Sequence, residues 1–118
     1  MPEYVIYHNP RCSKSRATLK LLQQNAVDPE VRLYLDNPPS PKELKAVLKA
    51  LGISARELLR DGEDEYQALN LADPKKSDTA LIKAMAEHPR LIQRPIVIRD
   101  QTKAALGRPP ENIRPLLD

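Results

Sequence analysis

The sequence predicts an α/β domain in which a βαβ unit and a ββα unit flank a helical insertion. Three observations point there: a short β-rich run that gives way to a loop and a helical segment near the N-terminus, two capping boxes in the middle, and two apolar runs joined by a polar turn near the C-terminus. A length of 118 residues suits one hydrophobic core and is too short for two, so residues 1–118 are read as a single domain.

Tyr4 to Tyr7 is a run of β-branched and aromatic residues, followed by the loop HNPRCSKSR and a segment with Leu19, Leu22 and Ala26 at helical spacing. Val31, Leu33 and Leu35 alternate with Arg32 and Tyr34 and predict a second strand, ending at the Pro-rich break DNPPSP. Ser40, Pro41 and Glu43 form an N-cap, a first-turn proline and a capping-box partner for a helix that buries Leu44, Val47, Leu48 and Leu51 before Gly52. Ser54 and Glu57 repeat the box for a short helix through Arg60, and Ser77 or Asp78 caps another through Leu81, Ile82 and Met85. Arg94-Pro95 leads into Ile96 to Ile98, the turn DQT and Lys103 to Leu106, a β-hairpin closed by Gly107. Pro109 and Pro110 favour a closing helix with Ile113, Leu116 and Leu117. A thioredoxin-like mixed sheet, βαβ then ββα, with a helical insertion over about residues 40–90 fits that order.

Composition excludes several functions. With no Trp or Phe and only four Tyr, the chain is poorly equipped to stack on bases. The net charge of +3 is spread through interleaved acids and bases, without the like-charged stripe that a nucleic-acid footprint requires. No apolar stretch approaches the length of a membrane span, and MPEYVIYHNP lacks the pattern of a signal peptide. A lone cysteine excludes an internal disulfide and a cysteine-only zinc site, and it suits the reducing cytosol. The chain is therefore expected to be cytoplasmic and monomeric, with no bound metal or organic cofactor.

Cys12 stands where a strand ends and a helix begins, beside unpaired N–H groups at the positive end of the helix dipole. Each unit by which a thiol falls below its usual value of about 8.5 needs about 1.4 kcal/mol, and the dipole supplies about 0.3–1 kcal/mol. Additional groups must contribute. Arg11, Lys14, Arg16 and His8 are near in sequence, and the hydroxyls of Ser13 and Ser15 are placed to hydrogen-bond the sulfur. The polar flanks RCSKSR distinguish Cys12 from an ordinary buried cysteine. The same loop is an anion site, so nucleophile and ligand would touch. His8 either tunes the thiol or ends a strand in solvent.

Four separated motifs, HNPRCSKSR, ISARELLR, LIQRPIV and GRPPE, together resemble the arsenate reductases of the glutaredoxin-linked, thioredoxin-fold type, and the resemblance spans essentially the whole chain. It implies that Cys12 is the nucleophile and that Arg60, Arg94 and Arg108 surround the oxyanion and the thiolate. Arginine suits that role because its planar fork stays charged throughout turnover. The resemblance also implies that Pro95 is the cis-proline that thioredoxin-like folds place beside the active cysteine.

The expected activity is reduction of arsenate to arsenite, with glutathione as co-substrate and glutaredoxin as partner. A glutathione-linked reductase of another small electrophile is one alternative. The other is a protein-binding regulator like the related Spx-type proteins, docking for instance on RNA polymerase. Those regulators use a C-x-x-C switch, whereas Ser15 stands at the second position here. Longer reductases of the family continue beyond the closing helix, while this sequence ends at Asp118.

Overall fold

A computed structural model describes residues 3–117. The chain runs β1 (Tyr4–Tyr7), α1 (Ser13–Gln24), β2 (Glu30–Arg32), α2 (Pro41–Leu51), α3 (Ala55–Leu58), α4 (Asp64–Ala68), α5 (Asp78–Glu87), a 3-10 turn (Pro89–Leu91), β3 (Ile96–Arg99), β4 (Lys103–Leu106) and a closing 3-10 helix (Pro110–Leu116). The sheet order is β2-β1-β3-β4, with β1 parallel to β2 and antiparallel to β3, and β3 antiparallel to β4. This is the thioredoxin-like βαβ–ββα arrangement expected from the sequence. Among the described residues, no helix is long and apolar enough to cross a membrane.

The two faces of the sheet explain the order of the elements. Successive side chains on a strand point to opposite faces, so in β1 Ile6 and Tyr7 enter different clusters, as do Val97 and Ile96 in β3. One face packs Ile6 and Val97 against Leu22 of α1 and Ile113 and Leu116 of the closing segment. The other packs Tyr7 and Ile96 against the insertion through Leu44, Leu58, Leu81 and Met85. Both capping boxes form as the sequence predicts: Ser40 with Glu43 opens α2, Ser54 with Glu57 opens α3, and Gly52 ends α2 in the left-handed region at φ 70°. Ser77, rather than Asp78, caps α5.

Three expectations are corrected. The first helix stops at Gln24, and Ala26 adopts φ 62° instead of completing an apolar stripe. β2 ends at Arg32, after which the chain turns, with the N–H groups of Asp36 and Asn37 donating to the Leu33 carbonyl. The burial parity is the reverse of the expected one: Tyr34 is fully buried, whereas Val31, Leu33 and Leu35 are 44%, 41% and 38% exposed. The closing segment is 3-10 rather than α-helical and contains Pro115, which lacks the N–H for a continued α ladder.

The turn after β2 is pinned by Arg32, whose guanidinium donates to the carbonyls of Asn37 and Pro38 and pairs with Glu43 at 2.5 Å. The Arg32 hydrogen bonds hold the Glu43 carboxyl down at about 2.

Candidate active site

Cys12 occupies the N-cap of α1, with φ −96° and ψ 122°. Its N–H donates to the Asn9 carbonyl at 3.0 Å and its carbonyl accepts from the Arg16 N–H at 3.0 Å, so the loop closes tightly onto the first helical turn. The side chain is half-buried. Burial alone would push the thiol up, but the Ser15 N–H, the Arg94 guanidinium and the Lys14 N–H outweigh it, leaving Cys12 below its ordinary value. These two N–H groups act on the sulfur without a formed capping hydrogen bond. The expected thiolate environment is present, with different contributors. Backbone amides and one distant arginine act on the sulfur, whereas Arg11 and Lys14 are exposed and Arg16 donates to the Pro10 carbonyl at 3.0 Å.

The serine hydroxyls do not take the expected role. Ser13 is exposed. Ser15 is fully buried, and its Oγ accepts from the Asn9 N–H at 3.0 Å and lies 2.6 Å from His8 Nδ1. His8 is itself buried, at 6% exposure, so the solvated reading of this residue is overturned. Burial, followed by the charge of Arg16, lowers the His8 pKa. The imidazole is therefore neutral near pH 7, with Nδ1 hydrogen-bonded to the Ser15 hydroxyl, and the His8–Ser15–Asn9 chain fixes the loop that carries Cys12.

That lowered pKa carries a sign. The unfolded chain takes up a proton at His8 before the folded one does, so stability falls as pH drops below the ordinary value of 6.5. Urea unfolding at about pH 7 and about pH 5 should show that fall, and His8→Asn should flatten it. An equal decline in both proteins would contradict the assignment. Glu43, held at about 2, has no part in this window because its contribution is lost only below the ordinary 4.5.

The arginines arrive from three segments. Arg60 follows α3, and its N–H donates to the Leu91 carbonyl at 2.8 Å, beside an antiparallel bridge between Leu59 and Ile92. Gln93 extends that seam, its N–H donating to Leu58 and its Nε2 to Leu59. The helical insertion is thereby stitched to the lead-in of β3, which sets Arg60 near Arg94. Arg94 precedes Pro95 through a cis peptide bond, and the Arg94 carbonyl accepts from Arg108 Nη1 at 3.3 Å. The Arg108–Pro109 bond is also cis. Gly107 tethers this end of the hairpin, its N–H donating to the Pro95 carbonyl at 2.9 Å.

Tyr34 is the residue at this site that sequence reasoning missed, having read it only as one of the residues alternating with Val31, Leu33 and Leu35 in a strand. Its one sequence signal is an aromatic ring in a chain with only four tyrosines and no Phe or Trp. Burial raises its phenol above the ordinary value, against the pull of Arg94 and Arg60, while the charge of Cys12 acts in the same direction as burial. Tyr34 thus feels the charges of Cys12, Arg60 and Arg94 together, with Arg94 also acting on it as a hydrogen-bond donor. Tyr34 Oη, Arg60 Nε and Arg94 Nε are all buried without a hydrogen-bond partner. The Glu63 carboxylate pairs with two arginines, Oε1 standing 3.5 Å from Arg60 Nε and Oε2 3.0 Å from Arg90 Nη2. A groove of about 680 Å³, bordered by Asn9, Pro10, Arg11, Leu33 and Arg94, opens beside the loop.

Unpaired buried donors are rare because each forfeits the hydration it had in the unfolded chain. A thiol favoured in its charged form beside the Arg94 guanidinium, whose Nε lacks a partner, suits an acceptor-rich anion that the sulfur can attack.

Comparison with known proteins supplies a family and several relatives. Residues 7–116 match the ArsC family. A Neisseria meningitidis serogroup A protein named arsenate reductase is 50% identical over 118 residues, covering 99% of this chain and all of that one. The uncharacterized protein YfgD of Escherichia coli K12 is 57% identical over 109 residues, covering 92% of this chain and 91% of its own length. The solved structure of an arsenate reductase from Vibrio cholerae superposes with a TM-score of 0.94 at 49% identity, covering 98% of each chain.

Proposed function

This chain belongs to the ArsC family, and on that premise we propose that it reduces arsenate to arsenite with glutathione and glutaredoxin. The observation that carries the reading is the meeting of a Cys12 thiol lowered in pKa with the Arg94 guanidinium, whose Nε is buried without a hydrogen-bond partner. Arsenate offers only oxygens to such donors, and its arsenic is an electrophile for sulfur.

In the proposed reaction the Cys12 thiolate attacks arsenic and one oxygen leaves as water, giving a thiol–arsenate adduct. The Lys14 and Ser15 N–H groups favour the attacking thiolate, and Arg60, Arg94 and Arg108 neutralise the oxygens. Reduction of As(V) to As(III) takes two electrons, and one cysteine can supply only half of a disulfide. Glutathione supplies the second sulfur: the arsenic–sulfur bond breaks, arsenite leaves, and Cys12 remains joined to glutathione. Glutaredoxin then removes that glutathione by thiol exchange. Such a cycle belongs in a reducing compartment such as the cytoplasm.

Intact-protein mass spectrometry after mixing enzyme, arsenate and glutathione without glutaredoxin should show one added glutathione, absent in Cys12→Ser. A coupled assay should register arsenite formation beyond a single turnover only when glutaredoxin is present. Turnover with thioredoxin alone and no adduct would refute the glutathione link, and no arsenite under any condition would refute the substrate.

A further inference from the structure

We propose that the Tyr34 hydroxyl is a substrate-binding group, donating a hydrogen bond to an oxygen of the bound oxyanion between Arg60 and Arg94. The proposal rests on the oxyanion reading of the site and adds to it a neutral donor from a segment that none of the four sequence motifs includes.

The position of the hydroxyl is not a by-product of core packing alone. Tyr34 has 0% exposure, and its ring stacks on Tyr7 with centroids 6.4 Å apart and an interplanar angle of 21°. Packing accounts for the ring and leaves the oxygen unexplained, since a phenylalanine would fill the same place without burying a hydroxyl. That oxygen has no partner at full hydrogen-bond geometry: the Arg94 guanidinium acts on it as a donor, and its own proton has no acceptor. Arg60 Nε and Arg94 Nε, two further buried atoms without a hydrogen-bond partner, are donors only, and both guanidinium charges act on the phenol. A phenol oxygen can accept as well as donate, so with a guanidinium turned toward that oxygen the proton is what remains to be placed, and an oxygen of a tetrahedral anion is a fitting acceptor for it.

The backbone holds the phenol in place. Tyr34 lies within the turn that follows β2, and that turn is fixed by Arg32 through the Asn37 and Pro38 carbonyls and by the Glu43 ion pair. Burial keeps the phenol protonated, so it remains a donor across the range in which arsenate changes its own charge. A guanidinium answers mainly to charge, whereas a buried neutral donor answers to where an oxygen sits. Tyr34 would therefore favour a tetrahedral oxyanion placed for attack by Cys12.

Tyr34→Phe keeps the ring and removes only the oxygen. If the hydroxyl serves the ligand, the free variant should melt at the same temperature as the wild type or higher, because an unpaired buried polar group has been removed. Its kcat/KM for arsenate should fall roughly 10- to 100-fold, the range for a hydrogen bond to a charged acceptor. The rate of Cys12 alkylation without anion should stay unchanged. In a Cys12→Ser background, which binds without turnover, the rise in Tm produced by arsenate should shrink on adding Tyr34→Phe. Unchanged kcat/KM with an undiminished arsenate-induced rise would overturn the proposal. So would a fall in activity that merely tracks a lower Tm, or a shifted alkylation profile, since these would assign the hydroxyl to the fold or to the thiol. If the wild type reduces no arsenate, the functional reading fails by itself. Tyr34 is then decided by the arsenate-induced rise in Tm, and equal rises with and without the hydroxyl count against it.

Discussion

Arg94→Ala is expected to lower arsenate turnover by roughly two to three orders of magnitude, the usual cost of removing one preorganised donor from an anionic transition state. The same variant should move the Cys12 thiol up, because Arg94 supplies both a hydrogen bond and a favourable charge to that sulfur. The two effects have separate readouts. Steady-state kinetics reports the first, and alkylation rate against pH reports the second, with its inflection shifted toward that of an ordinary cysteine. Arg94→Lys should recover part of the thiol acidity and little of the turnover, since an ammonium keeps the charge and loses the planar fork. Stability should change little, because the Arg94 Nε has no partner to lose. A variant with wild-type turnover and a wild-type alkylation profile would remove Arg94 from the site.

Gly107→Ala is expected to destabilise the fold by about 1–3 kcal/mol, the cost of forcing an added methyl into a closed interior. A Cβ at Gly107 would meet Thr18 Oγ1 and stand 2.7 Å from Pro95 Cγ and 3.0 Å from Thr18 Cγ2. Neither neighbour can retreat easily. Thr18 is fully buried, and its hydroxyl donates to the Lys14 carbonyl at 2.8 Å, while Pro95 is a rigid ring. Gly107 also precedes Arg108, so any shift that relieves the clash displaces a residue of the site. Gly52 differs: its φ of 70° disfavours a side chain, yet nothing lies within 4 Å. Denaturant unfolding of both alanine variants checks the comparison. Wild-type stability for Gly107→Ala would mean that the helix and hairpin separate more readily than the contacts imply.

The parts of the fold that sequence made legible are those with local causes. Ser40 with Glu43 and Ser54 with Glu57 satisfy helix N-termini within four residues of chain, so no tertiary knowledge is needed to place α2 and α3. The hairpin was equally readable, since Asp100 and Gln101 both take positive φ in a short polar turn between apolar runs. Tyr34 was not readable. Alternation over Val31, Leu33 and Leu35 indicates a buried face only while the strand continues, and here it ends at Arg32. In the closing segment, an apolar pattern at helical spacing could not distinguish α from 3-10 geometry, although Pro115 was a local warning.

The candidate site divides in the same way. Cys12 stood out through its own polar neighbours and its place at a helix start, which are local signals. The cations nearest to it in sequence proved the wrong contributors, because the Arg11 side chain in the loop and those of Lys14 and Arg16 on α1 are exposed while Arg94 acts on the sulfur. Arg60, Arg94 and Arg108 were recognisable only through resemblance, since no spacing rule joins residues whose proximity depends on the Leu59–Ile92 bridge and the Arg108–Arg94 hydrogen bond.

The dependence of Cys12 on Arg94 links chemistry to folding in one further way. The charge that favours the thiolate comes from the far end of the chain and exists only while the last third of the sequence is docked against the first. Acidity at this sulfur is thus a tertiary property, acquired on folding and surrendered on unfolding. In most proteins a cysteine becomes more reactive as the chain opens, because exposure increases. Here exposure is already partial in the folded state, and opening withdraws the guanidinium and the helix amides together. The intact molecule is then the more nucleophilic form near neutral pH, so a partly folded chain is chemically quieter than the finished enzyme.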